Sequence, residues 1–275
     1  MQDAVSAGRR HGERSAPYQP LAFRGALIIA GKESGELLLS KRGLLWLLVM
    51  SLVLSGFALL LISNTELGLL ENAQVVYDMV GLVTSLGALL TLVVGADAIG
   101  GEHERGSLVP LLLAPLPRSA LLLGKLGGQL IAWSAMLGIA LPYLWAVGST
   151  GQNLAAGIAC LIILGTPVVL TFGCLGVALG ARLLSARSAL TIGLVVLILA
   201  ASPMILGPGL RRTAIGVAFD WVNPFSAVLN ATDAVVIDSE PLLTQTVPFA
   251  IALAWMLIAL WYARRSISRL TGSPQ

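Results

Sequence analysis

Six apolar stretches dominate this sequence, at Leu44–Ser63, Met79–Ile99, Leu121–Val147, Leu154–Ala181, Ala189–Gly207 and Val247–Ala263. Each approaches or exceeds the ~20 residues that a helix needs to cross the hydrocarbon core of a bilayer. In lipid, backbone N–H and C=O groups must be satisfied internally, so apolar runs of this length have the α-helix as their solution. Charge content agrees: 11% of the residues are charged and 56% are hydrophobic, whereas a soluble domain carries roughly 25% charge. The expected fold class is all-α, a polytopic membrane protein with six transmembrane helices. Pro142 and Pro167 fall inside the third and fourth runs and are expected to kink them.

The connections set the topology. Of the 17 Lys and Arg residues, 15 lie before the first run, after the second and fourth, or after the sixth. The alternate connections hold only Arg211 and Arg212. Basic loops stay in the cytoplasm, so both termini are predicted to be cytoplasmic. Residues 1–22 carry Arg9, Arg10 and Arg14 with no apolar core, and read as a disordered cytoplasmic tail rather than a cleavable signal peptide. Residues 23–43 read as an amphipathic helix lying on the inner membrane surface. There Leu27, Ile28, Leu37 and Leu38 share the apolar side, and Lys32, Glu33, Glu36 and Lys41 the polar one. The six-helix domain covers 44–265, and 266–275 form a second cytoplasmic tail.

The longest outer connection is 208–246. Within it, Asn223-Pro224 reads as a helix N-cap followed by proline at the first helical position. The short apolar helix 224–237 that follows cannot span, so it is expected to be re-entrant or to lie at the outer interface. Trp221 and Phe225 would suit that interface.

Several function classes are excluded by the residues. The basic groups are spread among loops rather than gathered on one face, which argues against nucleic acid. Cys160 and Cys174, 14 residues apart on one run, lie ~21 Å apart along a helix and read as small core hydrophobes. The His103-centred cluster fails as a zinc-protease motif because position 107 is Ser, so no metal site and no catalytic residues are expected. Gly31-Lys32 and Gly124-Lys125 both fail as phosphate-binding loops, lacking the leading glycine and the following Ser/Thr. No ionisable residue sits at the middle of a run; Asp97 lies within the second, near its end. Ion-coupled carriers place such groups at mid-membrane, so the driving energy is expected to arrive by mechanical coupling from another polypeptide. Gly173, Gly176 and Gly180, with Gly124 and Gly128, mark faces of close helix approach, within the chain or at a subunit interface.

The stretch from Asp97 through Glu102-His-Glu104-Arg-Gly106-Ser107-Leu108, continuing to Pro115-Leu-Pro-Arg118 and Gly124-Lys125, resembles the type-2 ABC exporter permease family. That family shows E-x-E-x-G-T, a leucine-rich stretch, a P-x-x-R turn and G-K; Ser107 stands for the usual Thr. Lys32-Glu33 is similar to the family's K-E connecting helix. Among its branches the sequence looks most like the permeases of nitrous-oxide-reductase maturation. The resemblance implies a coupling helix over about 102–117. Glu102, Glu104, Arg105, Gly106, Ser107, Leu108 and Leu111 would face a partner ATPase, with Lys32, Glu33 and Arg118 at the rim. It further implies two copies of a cytoplasmic ATPase that bind ATP and Mg, and a second permease copy, identical or homologous. The chain itself would hold no cofactor. Its place would be the inner membrane, in contact with lipid. Asn223, Pro224 and Phe225 would face outward, where a periplasmic partner is possible. Three readings stay open: export of a substrate, transmission of force to such a partner without a substrate crossing, and a passive scaffold.

Overall fold

The computed structural model describes residues 19–63, 72–113, 117–148, 153–204 and 213–270. Among these residues all regular structure is helical. The helices are α1 (Gln19–Leu39), α2 (Lys41–Ser63), α3 (Asn72–Ala96), α4 (Glu102–Glu104), α5 (Leu108–Leu113) and α6 (Arg118–Gly148). They continue as α7 (Leu154–Cys160), α8 (Thr166–Leu183), α9 (Ala186–Ala201), α10 (Ala214–Val222), α11 (Pro224–Thr232) and α12 (Thr246–Arg269). π-helical turns at Asp97–Gly101, Leu161–Gly165 and Asp233–Ile237 extend α3, join α7 to α8 and extend α11. Six helical stretches are long and apolar enough to cross a membrane: Gly43–Leu61, Ala73–Glu104, Arg118–Gly148, Leu154–Leu183, Ala186–Met204 and Thr246–Arg269. They match the six runs of the sequence, apart from the end of the fifth, which lies outside the described residues.

Two spans form the centre. In the α3 span 67% of the most apolar stretch is buried, and in the α7–α8 span 61%, against 17–28% for the other four. The reason is glycine. A Cβ on Gly176 would sit 2.5 Å from the carbonyl oxygen of Leu92, and one on Gly180 would sit 2.8 Å from that of Ala96. Lipid tails are as apolar as leucine, so helices in a bilayer associate by packing rather than by hydrophobic expulsion. Backbones that touch are the strongest form of that packing, and the seam these glycines make lies within the chain. Thr91 Oγ1 adds a bond across it to the carbonyl of Val169, 2.7 Å.

The outer helices attach to this pair. α6 packs Trp133 against Gly87 and bonds its Nε1 to Thr166 Oγ1, 3.0 Å. α2 is held through Tyr143 of α6, whose hydroxyl lies 3.0 Å from Ser51 Oγ and 2.7 Å from Ser55 Oγ. Pro167 enters α8 immediately after a π-helical turn. That widened turn absorbs the hydrogen bond proline cannot donate. At Pro142, by contrast, α6 continues as one helix.

Three local expectations are revised. First, α1 turns Ala26, Ile29, Ala30 and Glu33 toward α6, while Leu27 and Ile28 are exposed. The packed stripe is i, i+3, i+4, i+7, and its last member, the partly exposed Glu33, is one of the residues assigned to the polar side, whereas the exposure of Leu27 and Ile28 agrees with the open apolar side expected of them. Second, 102–117 is not one helix: it breaks at Arg105–Ser107, and 114–116 lie outside the described residues. Third, the outer segment contains an additional helix, α10, and the helix expected to be re-entrant or to lie at the outer interface, α11, is buried among α3, α7, α9 and α12. Phe225, expected at that interface, is 1% exposed and packs on Phe172 with ring centroids 5.5 Å apart. Asn223 caps α11 as its sequence predicts, accepting from the N–H groups of Phe225 (2.8 Å) and Ser226 (3.4 Å).

Candidate functional site

The end of the bundle that carries the last residues of α3, α8 and α12 is built around an elbow, residues 97–107. α3 widens into the π-helical turn Asp97–Gly101 and gives one further turn, Glu102–Glu104. The chain then stops in a paired-bond termination. Gly106 N–H donates to the His103 carbonyl (3.0 Å) and Ser107 N–H to the Glu102 carbonyl (2.9 Å). This is the Schellman arrangement, whose C′ residue takes a left-handed conformation, and Gly106 has φ +72°. Ser107 Oγ also donates to the Glu102 carbonyl, 3.2 Å. Beyond the turn, Leu108 is buried beside Ile29, Ile99 and Leu121.

A compact ion cluster fixes the inner side of the elbow. Lys125, near the start of α6, is fully buried. Its ammonium donates to Glu33 Oε1 at 2.5 Å and to Glu102 Oε1 at 2.7 Å. Lys32 Nζ, half exposed, lies 3.7 Å from the same Glu102 oxygen. Each of the two inner carboxylates therefore meets the buried ammonium, and the exposed Lys32, which also pairs with Glu36 at 3.6 Å, adds a second cation beside Glu102. Such pairing is what permits ions at so low an exposure. The sequence prepares this meeting with glycines: a Cβ on Gly124 would clash with Ile29, and one on Gly128 would lie 2.7 Å from Glu33 Cβ. Without side chains there, α1 lies close on α6 and Glu33 reaches Lys125.

The other side of the elbow is fixed by Glu104. Its Oε1 accepts from Ser185 Oγ and from Ala186 N–H, both at 3.0 Å. Ser185 is the N-cap residue of α9 and makes no cap bond of its own. A carboxylate from the elbow takes that role, satisfying an N–H that the helix leaves open and favouring its positive end. Gly100 lets the α8–α9 turn approach: a Cβ there would stand 2.7 Å from Ala186 N. Arg105 folds back on Asp97 with three hydrogen bonds of 3.2 Å. Arg118 Nη1 donates to the Ser268 carbonyl at 3.2 Å, tying the start of α6 to the end of α12.

The residues singled out from the sequence thus separate into three places. Lys32, Glu33 and Glu102 gather around Lys125, while Glu104 reaches α9. Glu102 and Leu108 point inward, so their contribution to a partner surface is indirect. His103, Arg105, Gly106, Ser107, Val109 and Leu113 are exposed at the tip; the side chain of Leu111 lies outside the described residues. Gly173, Gly176 and Gly180 belong to the α3–α8 seam, where Gln129 Nε2 also donates to the Gly173 carbonyl, 3.1 Å. Asn223, Pro224 and Phe225 lie at the opposite end, where Asn223 Nδ2 donates to the Ala200 carbonyl, 2.8 Å. Lys125 is the residue whose role the sequence understated, since it counted there as a basic loop charge and as part of the Gly124-Lys125 pair in the family resemblance, not as a buried ion. Its setting, Gly124-Lys-Leu-Gly127-Gly128-Gln, carries the signal of a helix that another helix approaches closely.

A family model described as "ABC-2 family transporter protein" matches residues 27–266. The chain is also similar to two proteins described as "Probable ABC transporter permease protein NosY". That of Pseudomonas aeruginosa is 40% identical over 103 residues, 34% of this chain and 36% of that protein. That of Stutzerimonas stutzeri is 35% identical over 103 residues, with the same shares. The match therefore spans about a third of the length of these curated relatives.

Proposed function

Because the chain belongs to the ABC-2 family of transporter proteins, we propose that it is the membrane-spanning permease subunit that couples a separate cytoplasmic ATPase to export across the inner membrane. The observation that carries this reading is the anchored elbow. Its inner side is held to α1 and α6 through Lys125, and its outer side to α9 through Glu104. A partner pressing on the exposed tip would move α3 and α9 together rather than bend a loop. His103, Arg105, Val109 and Leu113 give that tip the mixed polar and apolar character of a protein interface. The excess of basic residues at this end supports a cytoplasmic position for it and for both termini. ATP and Mg then belong to the partner, in two copies, and a second permease copy completes the complex.

The test is co-expression with a Walker-motif ATPase encoded beside this chain. Val109→Asp combined with His103→Glu alters the tip without touching an anchor. It should cut recovery of the ATPase at least about tenfold, the loss of one interface contact of ~1.4 kcal/mol. Unchanged recovery and unchanged ATP hydrolysis in membranes would sink the reading.

One observation favours force transmission as a second reading. The outer segment is bonded into the same helices that receive the elbow: Asn223 to α9, and Phe225 onto α8. Motion of α8 and α9 would reach the outer face with no substrate crossing. A soluble periplasmic protein that co-purifies in a manner dependent on residues 213–246, together with a complex that retains no transport, would favour this reading over export.

A further inference from the structure

We propose that the groove between α8, α9 and α12 holds one acyl chain of an anionic phospholipid, with the phosphate at Arg182. The groove encloses about 320 Å³. Phe172 and Ala259 form its floor and are buried, whereas Leu199, Val222 and Ile258 form exposed rims. The polar side chains of Thr171, Asn223 and Trp255 in its wall are already engaged elsewhere. Thr171 Oγ1 donates to the Pro167 carbonyl, Asn223 caps α11 and bonds the Ala200 carbonyl, and Trp255 Nε1 donates to the Val222 carbonyl at 2.6 Å. What faces the groove is hydrocarbon, so a polar solute gains nothing there. Three spans, α8, α9 and α12, form most of the lining, with Phe219, Val222, Asn223 and Pro224 of the outer segment at one end, and an open apolar concavity between spans suits a lipid tail.

The mouth nearest the elbow carries the charge. Tyr262 closes the groove, and the Arg182 guanidinium stacks 4.3 Å from the centre of its ring. Arg182 Nε donates to Ser266 Oγ at 3.1 Å. These described partners orient the guanidinium and supply no counter-charge. Arg269 follows Tyr262 by seven residues, two helical turns, and so lies on the same stripe of α12. A fixed, exposed guanidinium beyond a hydrocarbon slot is complementary to one molecule that is apolar along its length and anionic at its end. Arginine's planar fork suits phosphate in particular. A free phosphate would leave the slot unused, and a helix from a second copy would leave the cation unused. The inference is independent of the elbow and holds for export and for force transmission alike.

The test is native mass spectrometry of the full chain, purified in mild detergent and exchanged into phosphatidylglycerol or phosphatidylcholine of identical acyl chains. The wild type should retain one phosphatidylglycerol per chain, preferred about fivefold over phosphatidylcholine, the effect of one basic side chain at a headgroup. Arg182→Gln should abolish the preference while leaving chain binding. Ala200→Trp or Val196→Trp, which fill the slot, should remove both lipids; two fillers guard against one that fails to fold. Arg187→Gln, a basic residue outside the groove, should change nothing. Equal retention of the two lipids by the wild type would overturn the proposal, as would unchanged phosphatidylglycerol in both folded fillers. Efficient cross-linking of Leu199→Cys between copies would also overturn it, by giving the groove to a second chain.

Discussion

At the scale of single residues, the decisive feature is a lysine that the bundle buries. Lys125 is balanced by Glu33 and Glu102, and each carboxylate comes from a different element, so the three side chains fix α1, α6 and the elbow at one point. Removing one partner of a buried ion cluster is costly because the remaining charge has nowhere to go. Lys125→Met should lower stability by ~3–5 kcal/mol, read as a fall in the thermal unfolding temperature of the detergent-solubilised protein. Neutralising the carboxylates as well, with Glu33→Gln and Glu102→Gln, should recover most of that loss, since well-packed neutral groups can replace a buried ion pair. A single variant that melts with the wild type would show that the cluster is solvated and carries no load. The sequence made Lys125 visible as a charge but not as a buried one. Burial depends on whether α1 lies on α6, and that is decided by Gly124 and Gly128, more than 90 residues along the chain from the Glu33 they admit. Glu33 was misplaced for the same reason. Both faces of α1 contain apolar residues, Ala26 and Ile29 on one and Leu27 and Ile28 on the other, so periodicity alone does not say which face is covered.

At the scale of elements, the six spans were legible because length and apolarity are properties of each helix by itself. The cap of α11 was legible too, because Asn-Pro chemistry acts within three residues. Breaks were not. The π-helical turn at Asp97–Gly101 lies against the α8–α9 turn that Gly100 admits, and Glu104 just beyond it meets the capping demand of α9; both partners are distant in sequence. The pairing of α3 with α8 lies between these cases. The spacing Gly176-x-x-x-Gly180 announces close approach, but its partner helix appears only in three dimensions. That contrast gives a test at this scale. Gly176→Val places side-chain atoms where the Leu92 carbonyl and Ala96 N–H stand, at 2.5 and 2.9 Å from the Cβ alone. Gly138→Val meets nothing within 4 Å on the exposed side of α6. The first should abolish a monodisperse peak in size-exclusion chromatography of the solubilised protein, and the second should leave it. Overpacking of a relaxed core costs ~1–3 kcal/mol, and contact with backbone that cannot yield lies at or above that range. Equal behaviour of the two variants would mean that α3 and α8 do not pack through these glycines.

At the scale of the whole molecule, charge and packing address different questions. Packing joins the spans through α3 and α8 and makes the elbow continuous with the outer segment; it is indifferent to which end faces the cytoplasm. Charge predicts that direction, since 15 of 17 basic residues belong to one set of connections, and cytoplasmic loops keep Lys and Arg. The chain offers a clean way to check it. Its two cysteines, Cys160 and Cys174, are free and buried, so they contribute little background to a thiol label without being mutated. Leu243→Cys lies in the turn before α12, where the native side chain is 89% exposed. Arg264→Cys lies near the other end of α12, also exposed. A membrane-impermeant maleimide should label position 243 in intact cells and position 264 only after the membrane is opened. Reversal of the two would invert the topology and remove the tip of the elbow from the side where ATP is available. It would then end the coupling proposal without disturbing the fold, because no contact that holds the bundle together depends on its direction in the membrane.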